Sequence, residues 1–309
     1  MSILVVGSVA LDTVETPFGR ANGVIGGSAT YFSAAASLFH PVQLVGVVGG
    51  DYPLGELDFL AQRGVDLAGL TRETGESFHW VGAYGFDLNV AETRETRLGV
   101  FAGFRPHLPD AFRSAEWVFL ANIDPELQYE VLEQVNSPRL VACDTMNFWI
   151  EGKRDALLRL LGRVDVLLIN DAEIRALSGE HNLVAAAKWV QARGPEIVVI
   201  KKGEHGAMLM TPETIFFVPG FPLEELYDPT GAGDSFAGGF LGYLAQSGTC
   251  SSDDLRRAMV YGSAMGSFAV ERFGVSRLRE LTIREVEERV QAFRQMTTFE
   301  TPIVAGSHV

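Results

Sequence analysis

Asp228-Pro229-Thr230-Gly231-Ala232-Gly233-Asp234-Ser235-Phe236-Ala237-Gly238-Gly239-Phe240 is the most informative stretch of this 309-residue chain. Small residues stand where a loop turns into an apolar helix. The amides of Gly231, Ala232 and Gly233 are therefore expected to point outward, unpaired, at the positive end of a helix dipole. Such a terminus suits an anion, and above all the charge that develops on a phosphoryl group in transfer. Asp234 follows in the first turn, where a carboxylate can take a proton from an incoming hydroxyl. Gly238 and Gly239 each cost about 1 kcal/mol in a helix interior, so the pattern calls for close packing or close approach of a ligand. The plain alternative is a glycine-rich turn with Asp234 as a helix cap.

Around this stretch, short apolar runs alternate with segments of helical period. The runs are Ile3–Val6, Val42–Val48, Trp117–Ala121, Leu140–Cys143, Val166–Ile169 and Ile197–Ile200. Helices are expected over 29–39, 55–63, 126–135, 154–161, 172–177 and 183–193, and after the glycine-rich stretch over 234–246, 253–270 and 283–296, the last opened by a Thr282/Glu285 capping box. Strands apolar throughout and spaced by helices indicate an α/β, doubly wound, mainly parallel sheet covered on both faces. Two segments break the rhythm. Residues 73–101 carry polar and aromatic alternation with glycines, expected as an antiparallel hairpin, and 13–24 supply a second segment; together they form a small β lid over a site or a plain surface excursion. No long polar linker interrupts the chain, so one domain is expected over 1–300, with 301–309 as a loose tail.

Composition narrows the function classes. The 39 acidic against 25 basic residues give a formal charge of −14, which disfavours nucleic acid as a partner. Cys143 and Cys250 lie far apart, so neither a CxxC site nor a disulfide framework is expected. No apolar run approaches the ~20 residues of a membrane span, and the chain opens almost directly in a strand; a soluble, cytoplasmic protein without membrane partners is the expectation. GxxxxGK[ST], HRD and DFG, an early GxGxxG and HxxxH are all missing.

The Asp228–Phe240 string resembles the C-terminal signature of the ribokinase-like (PfkB) carbohydrate kinases almost throughout, and further stretches fall in family order over roughly residues 3–276. The resemblance implies an ATP-dependent kinase with Asp234 as catalytic base and the Gly231, Ala232 and Gly233 amides as anion hole. Gly7-Ser8-Val9-Ala10-Leu11-Asp12 looks like the opening strand, whose terminal Asp12 grips substrate hydroxyls. Read from the residues alone, Asp12 is an acid at the carboxyl end of an apolar strand, where α/β sheets place ligands, or a turn-initiating Asp. Gly26-Gly27 matches the di-glycine that lets backbone approach substrate, or is a plain turn, with Tyr31 where the family often has Asn. Gly49 and Asp51, in the next glycine-rich turn, border the substrate site or merely shape the turn. Asn170 and Glu173 match an Asn-x-x-Glu element that organises Mg²⁺ and its waters around nucleotide phosphates, against the alternative of a helix cap with an exposed Glu173. Lys201, Gly203 and Gly206 match the turn that contacts ATP, Lys201, where many members have Thr, being either a point charge for phosphate or a merely solvated cation. Ala264 sits on a small-residue helix resembling the wall of the adenine pocket, the alternative being ordinary tight helix packing.

The acceptor is less sharply marked. Asp144-Thr145-Met146-Asn147 follows a strand end and only partly resembles the Asp-x-Asn-x-Arg pattern of fructokinase-like and ketodeoxygluconate kinase-like members. With that Arg absent, Asn147 and its neighbours suit a neutral sugar, cyclitol or nucleoside. A K⁺ ion beside the anion hole, near Asp228, Thr230 and the 272–276 loop, and a homodimer formed through the lid are further implications. The competing reading is a non-catalytic sugar- or nucleotide-binding regulator on the same fold.

Overall fold

The computed structural model describes residues 2–299; the expected tail at 301–309 lies outside them. Its strands, in chain order, are β1 Ile3–Val6, β2 Ala10–Thr16, β3 Gly19–Gly26, β4 Val42–Val48, β5 Val65–Arg72, β6 Phe78–Tyr84, β7 Ala91–Arg97, β8 Trp117–Leu120, β9 Leu140–Asp144, β10 Val166–Asn170, β11 Ile197–Lys201, β12 Ala207–Met210 and β13 Ile215–Val218. Nine of them form one sheet in the order β13-β12-β11-β10-β9-β8-β1-β4-β5. From β5 to β11 every pairing is parallel, and β12 and β13 close one edge antiparallel.

All six apolar runs became strands of this sheet, each within a residue of its expected bounds. Their side chains alternate between two cores. Ile3 and Val5 join the layer built with the helices Ser28–Ala36, Ala232–Ser247 and Ser252–Ala269, whereas Leu4 and Val6 join the layer built with Pro125–Leu132, Arg154–Leu161, Asp171–Ser178 and Leu183–Gln191. Burial on both faces is why these strands read as unbroken apolar runs. Three strands escaped the sequence reading, β5, β12 and β13. β5 and β13 are edge strands with mixed burial, and β12 is fully buried but only four residues long.

The other four strands form a separate sheet, β3-β2-β6-β7. β6 and β7 make the expected antiparallel hairpin, β2 and β3 make another, and β2 joins β6 in parallel. One expectation is corrected here. Asp12 is not at the carboxyl end of the opening strand; that strand ends at Val6, and Asp12 lies inside β2 of the lid. Its apolar context, Val9-Ala10-Leu11, comes from the lid root packing on the main body, which a linear pattern cannot tell from a continued strand. Among the described residues no helix is long and apolar enough to cross a membrane.

Candidate active site

The catalytic candidates sit at the N-terminus of the helix Ala232–Ser247, with Gly231 as its cap residue at φ 74°. A β-carbon on Gly231 would overlap the Tyr31 ring, so both the left-handed backbone and the space demand glycine. Of the three amides expected to face outward, that of Ala232 turns back to the Pro229 carbonyl at 3.2 Å. Gly231 and Gly233 have no amide partner among the described residues, so the expected anion hole narrows to their N–H groups and the first-turn amide that follows. Gly238 and Gly239 serve packing, not a ligand. A β-carbon on the first would stand 2.5 Å from the Phe32 carbonyl and on the second 2.6 Å from Met265.

Three strand ends meet this terminus. Asp144 closes β9, Asn170 closes β10 and Lys201 closes β11; Asn170 pairs with Lys201, and Asp144 with Leu168 two residues before Asn170. Lys201 Nζ donates to Asp144 Oδ2 at 2.6 Å and lies 3.0 Å from where a β-carbon of Gly233 would stand. Asn170 and Glu173 form a reciprocal capping box on the helix Asp171–Ser178, at 2.8 and 2.9 Å. The capping alternative is therefore present, but Glu173 is buried, not exposed. Burial, Asp144 and Asp171 push Glu173 up to about 7, against the opposing pull of Lys201 and the Asn170 amide. Burial and the charges of Asp144 and Glu173 likewise push Asp234 up to about 7, partly offset by Lys201. Burial works against the Lys201 ammonium, yet Asp144, Glu173 and Asp234 outweigh it and hold its pKa above the ordinary value. Asp144, which the sequence grouped with the residues expected at the acceptor, therefore also contacts Lys201 beside the helix terminus.

Across from this cluster stands the lid. Asp12 is 3% exposed, its carboxylate lying where a Gly26 side chain would be, with the Gly27 amide beside it. Burial, then Asp228 and Asp234, raise it to about 7 in spite of that amide. Gly27, at φ 92°, could not carry a β-carbon without meeting the Ser8 carbonyl at 2.5 Å. The di-glycine thus makes room for Asp12 and for the crossing into the helix Ser28–Ala36. Gly49 and Asp51 anchor the lid root: the Gly49 amide donates to Ser77 Oγ at 2.9 Å, and Asp51 accepts from the Ser77 amide and hydroxyl at 2.8 and 2.7 Å and meets His79 at 3.2 Å. Asn147 opens the helix Asn147–Gly152 with its side chain exposed. The buried Tyr31 hydroxyl has no partner among the described residues. Asp228 spends its carboxylate on the Thr230 and Gly274 amides, each at 2.9 Å, tying together the two loops expected to flank a cation.

A cavity of about 680 Å³ opens beside the helix terminus, lined by Lys201, Gly203, Gly206, Ala232 and Gly233 among others. Ala264 does not line it. It is fully buried in the core, while Ser263, Gly266, Ser267 and Val270 face the cavity. The small-residue helix borders the cavity through another face than that of Ala264: positions 263, 266, 267 and 270 share one side of a 3.6-residue helix, and 264 points about 100° away. Phe86 to Asn89, the tip of the β6–β7 hairpin, also reach this cavity. Nothing in the sequence placed them there, since the reach of a hairpin tip is a tertiary property.

A family profile described as pfkB family carbohydrate kinase matches residues 3–281. The cytidine kinase of Thermococcus kodakarensis is 30% identical over 246 residues, covering 78% of this chain and 87% of the relative. The nucleoside kinase of Methanothermobacter thermautotrophicus is 27% identical over 333 residues, covering 97% and 98%. In fold, the chain is similar to the crystal structure of aminoimidazole riboside kinase from Salmonella enterica, complexed with aminoimidazole riboside and an ATP analog, with a TM-score of 0.75, 20% identity and coverage of 94% and 100%.

Proposed function

We propose, since this chain belongs to the pfkB family of carbohydrate kinases, that it transfers the γ-phosphoryl group of ATP to a hydroxyl of a small neutral sugar, cyclitol or nucleoside, with Asp234 as general base. Family membership makes it a kinase; the acceptor and the base are our reading. The single observation that carries the reading is Asp234 on the first turn of a helix whose Ala232 and Gly233 border the cavity, with the buried Asp12 facing it from the lid.

ATP·Mg²⁺ is the donor in this reading, occupying the 680 Å³ cavity with its phosphates toward Gly233 and Lys201. Bound Mg²⁺ would neutralise phosphate charge, and the residues suit it indirectly. The capping box occupies one Glu173 carboxylate oxygen and leaves the other beside Lys201 and Asp144, in keeping with a cation that retains several waters. Lys201, held by Asp144, offers a fixed positive charge to a phosphate oxygen. Asp12 accepts a hydrogen bond from the acceptor and orients the reacting hydroxyl toward Asp234, which takes its proton. Positioning and electrostatics supply most of the rate in such transfers. A K⁺ ion near Asp228 would use backbone oxygens, the carboxylate being already engaged.

ADP release with ATP·Mg²⁺ over a panel of neutral sugars, cyclitols and nucleosides tests the reading. Transfer to at least one is expected. Inertness of all of them, alongside turnover of a protein or an anionic sugar acid, would overturn the acceptor class.

A further inference from the structure

The inner face of the lid carries an aromatic surface. Asp12 and Trp80 stand opposite each other in the parallel β2–β6 pair, so their side chains share one side of the sheet. Tyr84, four residues on from Trp80 and so on the same side, brings its hydroxyl to 3.2 Å from Thr230 Oγ1, at the entrance to the catalytic helix. Thr16, also of this parity, donates to the Tyr227 carbonyl at 2.9 Å. This is the face turned toward Asp234. Trp80 lies flat along it, because Gly82 has no side chain and a β-carbon there would overlap the six-membered ring of the indole. The indole Nε1 donates to Thr93 Oγ1 at 3.2 Å on the next strand, which pins the ring at its edge and satisfies its polar atom. The ring is only partly buried, and no other aromatic ring stacks on it among the described residues.

We propose that Trp80 is the platform on which the planar base of a nucleoside acceptor stacks while its sugar hydroxyl lies between Asp12 and Asp234. The protein then selects nucleosides over bare sugars. The inference rests on the acceptor-hydroxyl reading above and adds the substrate class to it. Trp80 and Asp12 sit on neighbouring strands, about 4.8 Å apart, a span that the sugar of a nucleoside bridges between base and primary hydroxyl. The adenine of ATP is not the ring concerned, since the cavity assigned to the donor is bordered by Phe86 to Asn89 and not by Trp80. An aromatic face with a satisfied N–H grips any base, so the platform sets the class of acceptor and leaves the choice of base to other contacts.

Steady-state kinetics with cytidine, uridine, adenosine, inosine and ribose would test this in the wild type, Trp80→Ala, Trp80→Phe and Gly82→Ala, with KM for ATP measured in each. In Trp80→Ala, kcat/KM for the best nucleoside should fall about 10-fold or more, within the range of base–aromatic stacking, mainly through KM. Ribose kinetics and KM for ATP should stay within about twofold of the wild type. Trp80→Phe should keep most of the nucleoside preference, and Gly82→Ala, which lifts the ring off the sheet, should lose part of it. Equal losses on nucleoside and ribose, or an unchanged nucleoside KM in Trp80→Ala, would overturn the platform while leaving the kinase reading intact. Failure of the wild type to phosphorylate any of the five would overturn the acceptor assignment, and the platform with it.

Discussion

Asp234 shares its surroundings with one cation and several acids, and that arrangement sets its pH behaviour. In its proposed role as base it must be ionised, so with its pKa near 7 in the unliganded protein kcat/KM should climb as pH rises through about 7 and then level. Asp144 raises Asp234 and Lys201 lowers it. Asp144→Asn should therefore move the acid limb to lower pH and Lys201→Met to higher pH, in kcat/KM–pH profiles; shifts of the same sign would refute this account. Asp234→Asn itself should lose roughly 10²–10⁴ in kcat while still binding ATP, the usual size for a lost general base. Titration calorimetry with ATP beside single-turnover rates would check both halves. Asp12→Ala should raise KM for the acceptor far more than KM for ATP. Equal effects would give Asp12 a folding or nucleotide role. These residues were legible because each belongs to a contiguous motif. The Asp144–Lys201 pair was not, as 57 residues separate its members and only adjacent strand ends bring them together.

The elements divide into those that a period declares and those that a neighbour decides. Arg154–Leu161 was read to the residue, and the Thr282/Glu285 capping box formed as expected, since both signals are local. The lid hairpin was legible as a hairpin, but its pairing with β2 and the reach of its tip were not. Its two ends meet, with the Val100 amide donating to the Glu76 carbonyl at 2.9 Å, so the segment between can be replaced by a short linker without pulling on the main sheet. That deletion should raise ATP hydrolysis relative to transfer, because water then reaches the phosphoryl site. Measuring ADP release against phosphorylated product would decide it, and an unchanged ratio would strip the hairpin of this gating role.

At the scale of the whole molecule, folding gathers acids whose charge it disfavours. Asp12, Glu173 and Asp234 titrate near 7 in the fold, against ordinary values of 3.8, 4.5 and 3.8. Between about pH 4 and 7 the unfolded chain has released protons that the folded one keeps, so these groups make stability fall as pH rises through that window. Asp51 and Glu285, held near 2 by hydrogen bonds, act with the opposite sign but below about pH 4.5. The melting temperature without ligands should decline from pH 5 to 7.5, and Asp234→Asn should flatten the decline; thermal denaturation across that range tests both. From the sequence alone came the parallel sheet, its six central strands, the lid segments and the motif residues from Asp12 to Asp234. Each is a matter of apolar period or of spacing along the chain, which burial on two faces or a helix terminus imposes locally. Tertiary structure decided which side of the helix Ser252–Ala269 faces the cavity, that Asp12 belongs to the lid, that Lys201 is held by Asp144, and that Trp80 lies open on the lid's inner face. Those outcomes depend on which surfaces meet across the fold, and residues distant in sequence leave no periodic trace of meeting.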